Sequence, residues 1–178
     1  MSPKRIDLEY IDTELPAYEI DILIEDENWP CLDVLEPLAA RVVKASILNI
    51  QVRPFAELSI AFFNDAKVQV LNRTYRAKDK PTNVLSFAID NAGTTDNAGG
   101  FSPLLGDIVL AYETVFREAH EKQIKFEDHI AHLLVHGFLH LQGYDHEEAS
   151  DADAMEALEV LILADLGIAD PYAKDELL

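Results

Sequence analysis

From Tyr18 to Ile24 the chain alternates: Tyr18, Ile20, Ile22 and Ile24 fall on one side, Glu19, Asp21 and Leu23 on the other. That period of two predicts a half-buried strand, and Asn28, Trp29 and Pro30 break it. The period then lengthens. Leu35, Leu38, Ala39, Val42 and Val43 form an apolar stripe on a helix from about Leu32 to Leu48, and Pro37 sets the start of the helix proper near Glu36. ELSIAFF, Glu57 to Phe63, reads as a buried strand ended by Asn64 and Asp65, either of which can cap a helix carrying Val68, Leu71 and Asn72 towards Tyr75. A polar basic loop, RAKDKPTN, leads into a third strand, Val84 to Ile89, and a fourth runs from Leu105 to Ala111. Between these two strands NAGTTDNAGG, Asn91 to Gly100, has the composition of a mobile loop. From Glu113 onward the pattern is wholly helical. One helix covers about Glu113 to Lys122, and a second starts near Phe126 and carries Ile130, Leu133, Leu134 and Leu139. A final helix is capped by Ser150 or Asp151, turns Met155, Leu158, Leu161 and Ile162 inward and ends at Gly167. Residues 1–17 show no period and read as an irregular arm.

Strands separated by helices, followed by three consecutive helices, predict an α/β (mixed α+β) fold. The expectation is one domain over residues 1–178, with a small sheet of about four strands flanked by helices. A length of 178 residues suits a single core. No apolar run reaches the roughly 18 residues of a membrane span, so no membrane partner is expected. The opening stretch has basic residues but no apolar core of a secretory signal. Cys31 stands alone, which excludes an internal disulfide or a thiolate zinc cluster. Together these point to the cytoplasm.

The net charge of −19 argues, taken globally, against nucleic acid. Its distribution changes that picture. Lys67, Arg73, Arg76, Lys78 and Lys80 fall close together with only Asp79 opposing them, whereas beyond Asp145 Lys174 is the only base among many acids. A small basic surface on an acidic body follows, and local field outweighs the total at a screening length of about 8 Å.

The chemistry concentrates in HGFLHLQGYDH, His136 to His146. His136 and His140 lie one helical turn apart, on one face. Gly143 can adopt a left-handed conformation and turn the chain back, so that His146 approaches the same point from outside the helix. Three imidazoles with one position open form a catalytic rather than a structural zinc arrangement. The spacing matches the metzincin zinc helix, but Gly137 stands where those peptidases carry their general base, which disfavours peptide cleavage. His132 is expected to support the site from outside the ligand set or to make a polar buried contact, and His120 and His129 to face solvent. Asp145 can orient a metal-bound His, assist proton transfer or cap the turn; Thr82, Asn83 and Ser86 can line the cleft.

The blocks LNRTYRAKDKPTNVLSF, LLGDIVL, AHLLVHGFLHLQGYDH and the terminal DPY resemble the YbeY family of ribosome-maturation endoribonucleases. That resemblance implies one Zn2+ per chain on His136, His140 and His146, a functional arginine at Arg76, and single-stranded RNA, in particular ribosomal RNA, as substrate. It also implies the ribosome or ribosomal proteins as partners. Arg76 would stabilise charge on the phosphoryl oxygens, and Lys78 and Lys80 would hold the RNA backbone. Either zinc-activated water or the RNA 2′-OH is the nucleophile. The alternative is a non-catalytic, zinc-stabilised ribosome assembly factor.

Overall fold

The computed structural model of the chain describes residues 4–7, 18–52, 55, 57–89, 104–146 and 148–173; the loop expected at Asn91 to Gly100 lies outside them. The four expected strands form as β2 (Glu19–Ile24), β3 (Glu57–Phe63), β4 (Val84–Ala88) and β5 (Leu104–Ala111). A fifth, β1 (Lys4–Asp7), adds to the edge in the stretch read as an irregular arm. Its four residues carry no usable period of their own. The strand exists by pairing antiparallel with β2, Lys4 opposite Ile22 and Asp7 opposite Glu19, a tertiary gain that no local pattern announces. The sheet runs β1-β2-β3-β5-β4, with β2, β3 and β5 parallel and both edge strands antiparallel to their neighbours.

The helices are α1 (Leu32–Asn49), α2 (Asp65–Arg76), α3 (Tyr112–Glu121), α4 (Phe126–Leu141) and α5 (Ala149–Asp165). Alternation along the strands divides them between the two faces. Ile20, Ile22, Leu58, Ile60, Phe62, Ile108 and Leu110 share the main core with residues of α1, α4 and α5. Val109, Ala111, Leu85 and Phe63 instead meet Val68 of α2 in a smaller cluster on the other face. Trp29 anchors one end of the main core: its Nε1–H donates to the Phe63 carbonyl at 2.9 Å, and its ring packs against Phe62, Tyr112 and Phe126.

Three local expectations need correction. The first helix begins at Leu32, not near Glu36, with Pro37 inside it. The bond that Pro37 cannot make belongs to the Asp33 carbonyl in the exposed first turn, where solvent can replace it, so the proline is tolerated. The cap of α5 is Glu148, without a side-chain hydrogen bond, and Ser150 and Asp151 already lie inside the helix. Leu161 is 48% exposed, because the buried stripe runs Met155, Glu159, Ile162 and Leu163. A carboxylate occupies the place assigned to a leucine.

The approach of α4 to the sheet depends on Gly137. A Cβ there would lie 2.9 Å from Ile108 Cγ2 on β5 and 3.1 Å from Ser86 Oγ on β4. The position that holds the base of a zinc peptidase is therefore walled off by the sheet. Replacing Gly137 by Ala gains about 1 kcal/mol of helix propensity against about 1–3 kcal/mol of overpacking, a net loss of roughly 0–2 kcal/mol. Gly137→Glu, which also drives a carboxylate into an apolar wall, is expected to cost more than about 3 kcal/mol. Denaturant titration of the two variants checks this ordering; equal stability of both with the parent would refute the wall.

Candidate metal centre

His136 and His140 stand one turn apart near the end of α4, half-buried. The helix closes with Tyr144 N–H donating to the Leu139 carbonyl and Gly143 N–H to that of His140, both at 3.0 Å, and Gly143 has φ +95°. This is a Schellman ending with glycine in the position that requires a left-handed residue. It folds the chain back, packs Tyr144 against the core and brings His146 up to the two helical histidines. Ring centroids lie 4.5 Å apart for His136–His140, 4.9 Å for His140–His146 and 5.5 Å for His136–His146. One ring nitrogen from each of the three falls within 4.8 Å of the others, a cluster that could hold a metal ion.

The hydrogen bonds behind the rings decide which nitrogens face the ion. His136 Nδ1–H donates to Glu159 Oε1 at 2.7 Å, and His140 Nδ1–H to the Tyr144 carbonyl at 3.0 Å. Each Nε2 is then left with a bare lone pair, and the two Nε2 atoms are 3.1 Å apart. Two lone pairs facing at that distance repel unless a cation lies between them. Tetrahedral zinc with bonds of about 2.0–2.1 Å would space its ligands at about 3.3–3.4 Å, so the donor set fits such an ion after small adjustment. Burial first, and then the neighbouring His136 and His146, hold the His140 pKa below its ordinary value. A neutral imidazole is the form a metal requires.

Sequence reasoning missed Glu159. It is 1% exposed on α5 and accepts from His136 Nδ1, from His132 Nε2 at 2.9 Å and from the Tyr172 hydroxyl. Burial alone would raise its pKa; the hydrogen bonds from His132, His136 and Tyr172 outweigh that and bring it to about 2. The expectation for His132 holds in this form: it supports His136 through the shared carboxylate. The clue in the sequence was a glutamate on the apolar stripe, four residues after Met155 and three before Ile162. His129, expected at the surface, is 1% exposed. Sheet, α1, α3 and α5 enclose α4, and Glu118 of α3 accepts from His129 Nε2 at 2.7 Å. Of the roles expected for Asp145 the structure shows the cap: its Oδ1 accepts the His146 N–H at 2.7 Å.

Arg76 ends α2, exposed, on the sheet face opposite α4, and reaches the free edge of β4, where Nη2 donates to the Ser86 carbonyl at 3.5 Å. The same Ser86 turns its hydroxyl to Gly137, the neighbour of His136. Lys78 and Lys80 are exposed in the following loop. That loop is tied down: buried Asn72 donates through Nδ2 to the Lys80 carbonyl at 2.7 Å, and Asn83 Nδ2 donates to Glu118 at 3.0 Å. Of the five basic residues, Lys67 is spent on an ion pair with Glu25, and Arg73 lies 3.9 Å from Asp79. Among the described residues no carboxylate pairs with Arg76, Lys78 or Lys80. Thr82 is partly buried, and Asn83 is committed to Glu118.

Fold and site define a class: a single α/β domain with a three-histidine cluster that could hold a metal ion, where a buried helix turns back on itself. The chain belongs to the endoribonuclease YbeY family, whose model, described as Endoribonuclease YbeY, matches residues 22–167. Proteins named endoribonuclease YbeY from Sinorhizobium fredii and Agrobacterium fabrum are each 46% identical to it. The first match covers 89% of this chain and 94% of the relative, the second 91% and 99%. A protein of the same name from Methylocella silvestris is 50% identical over 86% of this chain and 85% of its own. The solution structure of TM1509 from Thermotoga maritima shares the fold, with a TM-score of 0.50 at 22% identity, covering 87% of this chain and 99% of that one.

The Glu159 carboxylate accepts three converging donors, and a glutamine cannot: its NH2 would face a donor. Glu159→Gln is expected to weaken zinc binding about 10- to 100-fold, measured by competition with a chromophoric chelator, with all three ligands intact. The pH dependence has a definite sign. A carboxylate whose folded pKa is depressed stabilises the fold above its unfolded pKa and loses that contribution as pH falls through the folded one. Metal-free protein should therefore lose stability between about pH 4.5 and pH 2, and Glu159→Gln should flatten the stability curve across that window.

Proposed function

We propose that this protein is a zinc-dependent endoribonuclease that cleaves single-stranded RNA in ribosomal RNA maturation. The proposal includes processing of the small-subunit rRNA 3′ end and ribosome quality control, in the cytoplasm and in contact with the ribosome. The observation that carries this reading is the convergence of three ring nitrogens beside a sheet edge that also holds an unpaired arginine. His136, His140 and His146 hold the ion. When bound, it lowers the pKa of water from 15.7 to about 7 and polarises a phosphoryl oxygen. Glu159 fixes the His136 tautomer so that Nε2 faces the site. Arg76 keeps most of its N–H donors available, and these meet the negative charge that gathers on the phosphoryl oxygens during cleavage. Lys78 and Lys80, on a loop already tied down by Asn72, hold the backbone phosphates without first paying to order it. No helix among the described residues is long and apolar enough to cross a membrane.

The test is cleavage of an unstructured RNA by zinc-loaded protein and by His140→Ala and Arg76→Glu variants. Loss of at least about 100-fold is expected for each. A 2′,3′-cyclic phosphate on the product would assign the attack to the RNA 2′-OH, and a 5′-phosphate beside a 3′-hydroxyl to water. Zinc-loaded protein without any nuclease activity, but melting cooperatively on chelation, would replace this reading with the zinc-stabilised assembly factor.

A further inference from the structure

We propose that the exposed ring of Tyr75, backed by Phe87, is a platform on which one base of the RNA stacks while a neighbouring phosphate meets Arg76. The inference rests on the endoribonuclease reading and says how the strand is gripped beyond the metal centre. Tyr75 is 67% exposed, the most exposed large apolar side chain among the described residues. It is nonetheless held: its ring meets that of Phe87 in an edge-to-face contact, centroids 5.2 Å apart at 61°, and with that contact made the side chain is still largely exposed. The rim is cationic. Arg76 is the next residue, Lys78 and Lys80 follow, and the intervening acid, Asp79, is taken up by Gln69 Nε2 at 3.0 Å and by Arg73. On a chain of net charge −19, an aromatic face inside a basic rim selects a polyanion with flat faces of its own.

The strand β4 connects this platform to the histidines. The Asn83 carbonyl and the Ile89 N–H bond to β5, so by antiparallel alternation Ser86 points its backbone groups outward, at the free edge. Ser86 and Phe87 are consecutive, and their side chains leave on opposite faces. The Ser86 hydroxyl meets Gly137 beside His136, and the Phe87 ring meets Tyr75. A strand that crosses this edge passes from the metal centre over Arg76 to Tyr75. Paired bases of a duplex have no free face to offer, so the platform accepts unpaired nucleotides only.

Zinc-loaded full-length protein carrying Tyr75→Ala, Tyr75→Phe or Tyr75→Trp is titrated into a fluorescent unstructured RNA of about 12 nucleotides and into a strand of the same length with abasic riboses. Stacking predicts roughly 5- to 100-fold weaker binding for Tyr75→Ala and recovery in the Phe and Trp variants. It also predicts no difference among variants on the abasic strand. Indole emission of Tyr75→Trp should be quenched by RNA, whereas Trp29, 4% exposed, gives a constant background. Zinc content and melting temperature serve as the folding control. If the parent binds and cleaves RNA and Tyr75→Ala binds it equally well, the platform is refuted, the nuclease reading stands, and the exposed ring belongs to a protein contact. An equal loss on the abasic strand also refutes stacking. If zinc-loaded parent neither binds nor cleaves RNA, the nuclease reading itself fails.

Discussion

A helix with four histidines along its length can lie in the middle of a domain only if their nitrogens are satisfied there. That constraint governs α4. His129, His132, His136 and His140 recur along it, and their partners lie outside the helix in three places: Glu118 on α3, Glu159 on α5 for both His132 and His136, and the Tyr144 carbonyl on the returning turn. An unpaired imidazole nitrogen in such a place costs about 1–3 kcal/mol. The bonds that allow the helix to be buried therefore also tie α3, α5 and the C-terminal Tyr172 to it. They fix the tautomers as well, because a proton held at Nδ1 of His136 and His140 leaves Nε2 bare. Burial and ligand preparation are one set of interactions. The Nδ1 atoms of His129 and His132, buried without a partner among the described residues, are where this satisfaction is incomplete.

What could be read from the sequence follows from the range of each interaction. His136, His140 and His146 were legible because the helical repeat and a left-handed glycine are local: i, i+4 and a turn fix their convergence without knowledge of the rest of the chain. The four longer strands were legible because alternation records which face is buried. Glu159 was not. It reaches His136 from 23 residues away in sequence, and only the packing of α5 on α4 shows why a carboxylate should replace a leucine on that stripe. The same holds for His129, whose surface assignment failed because no pattern within α4 predicts how many neighbours will enclose it. β1 owes its existence to β2, and Pro37 owes its tolerance to an exposed first turn.

The acidic total and the small basic surface stop conflicting once each cation is placed. Lys67, though close in sequence to the others, is folded away over the Phe63 ring, 3.8 Å from its centroid, and paired with Glu25. Its contribution to any external field is largely cancelled. Arg76, Lys78 and Lys80 remain, on a loop whose carbonyls and carboxylate are bound by Asn72 and Gln69. Ala77, between Arg76 and Lys78, takes φ 56° to end α2. That conformation costs a non-glycine residue, and it gives a sharp exit that folds the loop back onto Gln69 and Asn72 of α2. The total charge repels polyanions in general, whereas these three exposed cations set a local field of the opposite sign.

Gly137 joins these threads. Three histidines at this spacing are compatible with peptide or phosphodiester chemistry, and the two differ in what surrounds the ion. A peptidase of the metzincin pattern needs a carboxylate directly after the first ligand. Here β5 and β4 press against that point, with Ile108 and Ser86 in the space a side chain would need. The contact is thus exclusive: the closer α4 lies to the sheet, the less room there is for a base. Packing removes the group that peptide cleavage depends on, because with Ile108 and Ser86 against Gly137 no carboxylate can stand directly after the first histidine.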